Sequence, residues 1–417
     1  MNRLLKIIFF YFIFLNQIEG QIGTNSPYSR FGLGDFQHNI SPVFNAFGGS
    51  SIALENSKII NFTNPATYTN FSSNTFLFST GGWNQTTQIQ NKNAEQIANS
   101  TSLSHFVFGF PLNKKIGASA GMIPFSSIGY DILVRDSEYN ADMNYYGDGG
   151  ISEIYFGTAY QLFDVFSVGI NASYLFGALN RRKKLIFDDD TFLNSRSNNK
   201  INLKGYYYEL GVLYNKSLNN NSSFSLALTA NNNTQISAKK NEIIESFEYS
   251  GLLEVPIDTI NLSTELGEVN FPKYISAGIS YNKNNKWLFI AEYNTQNWSD
   301  YIMFNETDNL VNSMSFSGGL QYTPNYNSIN KYYKRIDYRI GACYRDIPLQ
   351  FEENQLKEIS VSFGFGIPIK KSKTKYDVSC TLGNRGTTQD NLIKEQFVRI
   401  GLSVSYDAIW FVKRKYD

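Results

Sequence analysis

In 417 residues the chain has two histidines, His38 and His105, and two cysteines, Cys343 and Cys380. The histidines stand far apart, and no HExxH, GxSxG, P-loop or EF-hand pattern accompanies them. No catalytic or metal site assembles from such residues, so neither an enzyme nor a cofactor is expected. The Asp run at 188–190 could hold calcium, but it reads better as a solvated loop. Charge of one sign is missing too. A net charge of +1, with only 18% charged residues, gives no electrostatic footprint for nucleic acid, which is not expected as a partner. Beyond the first twenty residues no apolar run approaches the ~18 that a membrane helix needs.

Residues 1–20, "MNRLLKIIFFYFIFLNQIEG", have the form of a secretory leader. Arg3 and Lys6 start it, an apolar stretch runs from Ile7 to Leu15, and Gly20 suits cleavage. No cysteine follows to carry a lipid. Aromatic residues make up 16% of the chain, and Asn occurs in turn-prone runs such as "NNNNSS".

Strict alternation decides the class. Ile359, Val361, Phe363, Phe365 and Ile367 share one face of a strand, with Ser360, Ser362, Gly364 and Gly366 on the other. Val168, Ile170, Ala172 and Tyr174 repeat the pattern, as do Val398, Ile400, Leu402 and Val404. Period two with one apolar face fits a sandwich, which buries that face, or a membrane barrel, which turns it to lipid. Several segments outrun the five or six residues usual in soluble sheets, and aromatic residues gather at their ends as at a membrane interface. The strands expected are 74–86, 103–111, 115–134, 149–161, 164–187, 200–215, 222–238, 269–282, 285–299, 311–323, 332–346, 354–369, 373–386 and 393–407. Short turns such as "PLNK" and "IKKS" alternate with longer connections at 87–102, 135–148, 188–199 and 239–268. That is the outer-membrane pattern. The fold expected is therefore all-β: a transmembrane antiparallel β-barrel of about fourteen strands with an N-terminal plug. The units are a leader at 1–20, the plug at 21–72 and the barrel at 73–417, in the cell outer membrane among its lipids.

A barrel of this size is too wide to be filled by its own wall, and its inward faces are rich in Gly and Ser. Residues 21–70 are the candidate filling. Their glycines permit turns and close approach, and Pro65 pushes Asn64 towards extended geometry. The stretch "AFGGSSIAL", followed by "NFTNPATYT", resembles the plug signature of the FadL-like family of outer-membrane transporters for long-chain fatty acids and other hydrophobic compounds. Gly48, Gly49, Asn64, Pro65 and Ala66 carry it. "GASAGMIPFSSIGYDI" is similar to the family's third strand, with Pro124 and Phe125 at its Pro-Phe position. "WLFIAEYNTQNWSDY" resembles its Trp-Ser segment at Trp298 and Ser299, and "RIDYRIGACYRDIP" a late strand ending near Pro348. The resemblance implies a lateral opening at Pro124 and Phe125, where a residue without an N–H interrupts the ladder. "SPYSRFGLGDF" and the ending "WFVKRKYD" lie outside the transporter pattern.

Alternation points Cys343 inward and Cys380 outward, two strands apart, so two free thiols are expected. Glu209, Glu292, Asp337, Arg339, Arg345, Asp377 and Arg399 also point inward, either to hold plug to wall or to form a polar track. The loop expected at 239–268 mixes acids with apolar residues, as a substrate-collecting lip or a docking surface would. Passive uptake of a hydrophobic small-molecule ligand, such as a long-chain fatty acid, with lateral exit, is the function implied. The alternative is a non-transporting accessory barrel subunit of an outer-membrane secretion or barrel-assembly complex, with other envelope proteins as partners and the tail Lys413–Arg414–Lys415 among the docking elements.

Overall fold

The computed structural model describes residues 23–37, 41–189, 191–219, 221–351, 353–370, 372–389 and 392–410. The expected leader, His38, Asp190 and the basic tail lie outside the described residues. β1 (Asp35–Phe36) precedes the wall. The wall begins with β2 (Thr75–Gln90), β3 (Glu95–Pro111), β4 (Ile116–Asp136), β5 (Ala141–Phe163), β6 (Phe166–Phe187), β7 (Asn194–Asn219) and β8 (Ser222–Asn231). A hairpin follows, β9 (Thr234–Ser250) and β10 (Leu253–Phe271). The wall resumes with β11 (Tyr274–Lys283) and β12 (Trp287–Gln296), is interrupted by the two-residue β13 (Ile302–Met303), and continues with β14 (Ser313–Tyr322) and β15 (Asp337–Phe351). It ends with β16 (Asn354–Pro368), β17 (Lys375–Arg385) and β18 (Lys394–Ile409).

Consecutive wall strands pair antiparallel, and β18 closes on β2 from Lys394↔Gln90 to Ile409↔Thr75. β8 pairs directly with β11. The barrel thus has fourteen strands, and its alternation is as expected: Ile359, Phe363, Ile400 and Leu402 are exposed on the outer face while Ser360, Ser362 and Ser403 are buried. Cys343 is buried and Cys380 half-buried on the outer face, and neither is in a disulfide.

The expected loop 239–268 is a strand pair instead. The expected strand 222–238 breaks at Asn232 and Asn233, and 269–282 breaks at Pro272 and Lys273. Beyond those breaks β9 pairs with β7 from Lys204↔Ser237 to Asn194↔Phe247, and with β10 along its length. Alternation is lost there because both faces of β10 meet water, so period two confers nothing. β3, β5 and β7 likewise start earlier than expected, at Glu95, Ala141 and Asn194. The wall is uneven as a result. β4 to β7 run 21 to 26 residues, whereas β12, β14 and β17 run 10 or 11, the length that crosses a bilayer.

Candidate functional site

Residues 23–37 and 41–71 lie inside this wall. Two short turns organise them by the same local chemistry. Ser26 accepts from Tyr28 N at 3.3 Å and caps the turn Pro27–Arg30. Asn64 accepts from Ala66 N at 3.0 Å and caps the turn Pro65–Asn70. In both, Pro at the first position supplies the needed φ without wasting an N–H. Asn64 also donates to Ile52 O at 2.8 Å, and Ala66 is fully buried. Gly48 and Gly49 turn the chain at φ +71° and +91°.

The wall is shaped to this segment through absent side chains. A Cβ on Gly169 of β6 would stand 2.5 Å from the Pro65 carbonyl carbon, and one on Gly319 of β14 would stand 2.7 Å from Phe47 Cα. Gly117, Gly211 and Gly341 face Tyr68, Asn64 and Gly48 even more closely. The inward glycines therefore bring the two backbones into contact. Glu292 of β12 adds a polar clasp, accepting from Ser51 N at 2.7 Å and Ile52 N at 3.1 Å. Arg339 stacks over Phe47 at 5.4 Å and pairs with Asp377 at 2.6 Å, both charges almost fully buried.

Among the described residues the wall has one long unpaired stretch. β3 and β4 pair only from Phe106↔Met122 to Pro111↔Gly117. Above that, β3 keeps its ladder to β2 and β4 its ladder to β5, with a register shift between Pro124 and Ser126. Pro124 and Phe125 stand just past the last pair.

Residues 24–37 lie across this stretch from one bank to the other. On the β3 side Asn25 donates to Asn99 O at 2.7 Å. On the β4 side β1 pairs as Asp35↔Ser127 and Phe36↔Ser126. Gln37 N donates to Phe125 O at 3.0 Å, and Ser29 Oγ bonds both Gly129 O and Gly129 N. Gly34, at φ +92°, lies so near β4 that a Cβ would sit 2.5 Å from Ser127 O. Phe36 enters an aromatic cluster, 4.6 Å from Trp298 and 5.6 Å from Phe125 between centroids. The far end is tied to the last strands: Ser26 Oγ donates to Glu395 at 2.5 Å, Asp35 pairs with Arg385 at 2.9 Å, and Tyr28 OH donates to Ile393 O at 2.6 Å. Burial pushes the Tyr28 phenol up to about 12.

Cavities of about 110 and 100 Å³ remain in the lumen, below the roughly 300–1,000 Å³ of ordinary ligand pockets. One of about 290 Å³ opens at the outer mouth between Arg30, Tyr145, Arg181 and Asp308. Sequence reasoning placed turns at Gly48 and Asn64 and expected a lateral opening at Pro124 and Phe125; the β3 ladder ends at Met122, while Pro124 stays in register with Ser152 of β5. Sequence reasoning missed Asn25, Ser29, Asp35 and Phe36, although the stretch containing the last three stood out as foreign to the transporter pattern.

A protein-family model described as BamG matches residues 1–417. No curated protein matches the sequence. Solved structures that match include the P. putida toluene transporter TodX, 14% identical, with 90% of this chain and 100% of that one covered at a TM-score of 0.62. The Ralstonia pickettii toluene transporter TbuX is 15% identical over 89% and 98%, TM-score 0.60. A Pseudomonas aeruginosa FadL homologue is 10% identical over 94% and 100%, TM-score 0.59. At such identities the likeness is one of fold: an outer-membrane β-barrel of the FadL type. The resemblance read from the motifs holds for that fold, while the family whose model matches is a different one.

Proposed function

The chain belongs to the BamG family, and from that premise we propose that it is a plugged, non-transporting barrel subunit of an outer-membrane complex for secretion or barrel assembly. The observation that carries this reading is the segment 24–37, bonded to both banks of the unpaired stretch between β3 and β4. A passive exit needs that stretch free, and here it is occupied by a chain segment foreign to the transporter pattern. The glycine seats under Pro65, Phe47 and Gly48 point the same way, since a filling held backbone to backbone is ill suited to moving aside.

A second reading, a channel for hydrophobic small molecules such as long-chain fatty acids, draws on the interrupted ladder at Pro124 and Phe125. The two separate in one experiment. Cells carrying the full-length protein, or the same protein without Asn25–Phe36, are scored for uptake of a labelled fatty acid and of an excluded hydrophobic dye. Each protein is also isolated from its native envelope in mild detergent. The subunit reading expects no uptake through the intact protein, dye entry through the deleted one, and isolation of the intact protein within a larger complex. Fatty-acid uptake that needs the intact protein and falls with Pro124→Val, with the protein isolated alone, would establish the channel.

A further inference from the structure

The short turns mark the periplasmic end of the wall. One connection on that end is not short: fourteen residues join Tyr322 of β14 to Asp337 of β15. Beside it lie the β11–β12 turn at 284–286 and the β16–β17 turn at 369–374, because β12, β14, β15 and β16 are neighbours in the wall. Together these three connections contain seven Lys or Arg residues and no carboxylate.

The long connection is tied to the lipid-facing side of the wall. Tyr338 stands on the outer face of β15, in the column of the exposed Ile340, and its hydroxyl donates to Tyr333 O at 3.0 Å. Tyr332 OH donates to Pro368 O at 2.7 Å, across the foot of β16. Thr323 N donates to Lys286 O at 2.8 Å. Above these ties runs an outward aromatic band. Trp287 and Tyr322 lie 4.3 Å apart between centroids, and Tyr338 meets Phe365 edge-on at 5.9 Å. Such a band sits at the depth of lipid headgroups. Cations are laid directly on these rings: Lys286 over Tyr322 and Lys370 over Tyr332, each at 5.4 Å.

Among the described residues Lys286, Lys331, Lys334, Arg335 and Lys370 are in no ion pair. The carboxylates at the feet of β15, β17 and β18 are already taken: Asp337 by Lys375, Asp377 by Arg339 and Asp407 by Lys373. The five cations therefore call for negative charge from outside the chain, at the depth where the phosphates of the inner leaflet lie.

We propose that the feet of β12 to β16 bind anionic phospholipid of the periplasmic leaflet. Lys286, Lys334 and Arg335 hold its phosphate, and the Trp287–Tyr322–Tyr338 band lies against its glycerol and upper acyl chains. Basic clusters at a membrane surface favour lipids with net negative charge, and a zwitterionic headgroup, which brings its own cation, is the poorer fit. An acidic protein surface is the weaker occupant, because Tyr338 ties the cluster to the side of the wall that faces lipid. The inference holds under either functional reading above, since both leave the outside of the wall in the membrane.

The test uses the purified full-length protein in detergent with fluorescent phosphatidylglycerol and fluorescent phosphatidylcholine. Phosphatidylglycerol is expected to bind about tenfold more tightly, with a preference that shrinks as salt rises. Lys286→Gln/Lys334→Gln/Arg335→Gln should abolish the preference. Lys183→Gln/Lys200→Gln/Lys239→Gln, which removes the same charge from exposed positions of β6, β7 and β9, should leave it intact. Heat-modifiable gel mobility verifies folding. If the first variant fails to fold, the exposed pair Lys331→Gln/Lys370→Gln carries the test and should weaken the preference. Excess inorganic phosphate should not compete, because it lacks the chains that the aromatic band holds. Equal binding of the two lipids, a preference indifferent to the substitutions at the feet, or equal loss in the control variant overturns the proposal. Competition by inorganic phosphate would make this a free-anion site and overturn it too. A first variant that binds phosphatidylglycerol as before, yet is isolated from the native envelope without partners that the wild type retains, would make the cluster a protein dock and likewise overturn the proposal.

Discussion

The low flank, around β12 to β17, and the tall flank, β4 to β10, follow different rules although one barrel contains both. On the low flank β12, β14 and β17 are about as long as a bilayer requires, and inward positions meet the plug: Gly319 and Gly341 against Phe47 and Gly48, Arg339 over Phe47, Glu292 on Ser51. On the tall flank β7 has 26 residues, roughly 85 Å of chain at 3.3 Å per residue, against a hydrocarbon core of ~30 Å. Even with barrel tilt, much of it stands in water. The surplus does not serve membrane crossing; it stands beyond the bilayer.

If that contrast is right, substitutions on the low flank are costly and those on the tall flank are not. The largest effect is expected from Arg339→Ala, which among the described residues leaves the buried Asp377 carboxylate with Lys375 at 3.7 Å as its cation. About 3 kcal/mol should be lost, the low end for a broken buried pair, read from the denaturant midpoint of the folded barrel. A loss near zero would erase the distinction between the flanks. Gly341→Val drives a side chain into the Phe47–Gly48 backbone and should cost about 2 kcal/mol by overpacking. Gly318→Ala, whose Cβ meets nothing nearer than 3.3 Å, is the control and should stay near wild type.

A smaller, pH-dependent effect sits at the foot of the tall flank. Glu55 of the plug accepts from Asn215, and burial, partly offset by Ser225, pushes its pKa up to about 7. The folded state therefore holds this proton more tightly than the unfolded one, and stability falls as pH rises from the ordinary carboxyl range through about 7. Melting at pH 5 and pH 8 should differ by a few °C, something on the order of 1 kcal/mol from this group, and Glu55→Gln should narrow the difference. Smallest of all, Arg196→Ala removes outward pairs with Glu245 and Glu254 and should change stability by under ~1 kcal/mol, vanishing in salt. A large loss there would mean that the tall flank is a structural core in its own right.

The same contrast explains what could be read from the sequence. Wherever one face of a strand meets lipid and the other meets the plug, as at Ile359 to Ile367, alternation is enforced and legible. Asn64, Pro65 and Gly48 were legible because turns demand particular residues. β9 and β10 were not, because water on both faces of Leu262, Ser263 and Thr264 selects no period. The cover over the β3–β4 stretch escaped for another reason. Asn25, Ser29 and Gln37 act on backbone atoms of Asn99, Gly129 and Phe125, and backbone partners leave no complementary pattern elsewhere in the chain.

The ties from Ser26, Tyr28 and Asp35 to Glu395, Ile393 and Arg385 carry a consequence for how the molecule is made. Contacts spanning 350 residues or more form late, since the chain between them must first be ordered. The stretch of chain that covers the opening between the third and fourth wall strands is synthesised before any of them, yet its anchors arrive with the last two. Until β18 docks on β2 the barrel is unclosed and the segment over the opening lacks its tie to Glu395, so the last strand completes both at once. A molecule stalled one strand short is not a slightly defective barrel but one that exposes the unpaired edges of β2 and β17.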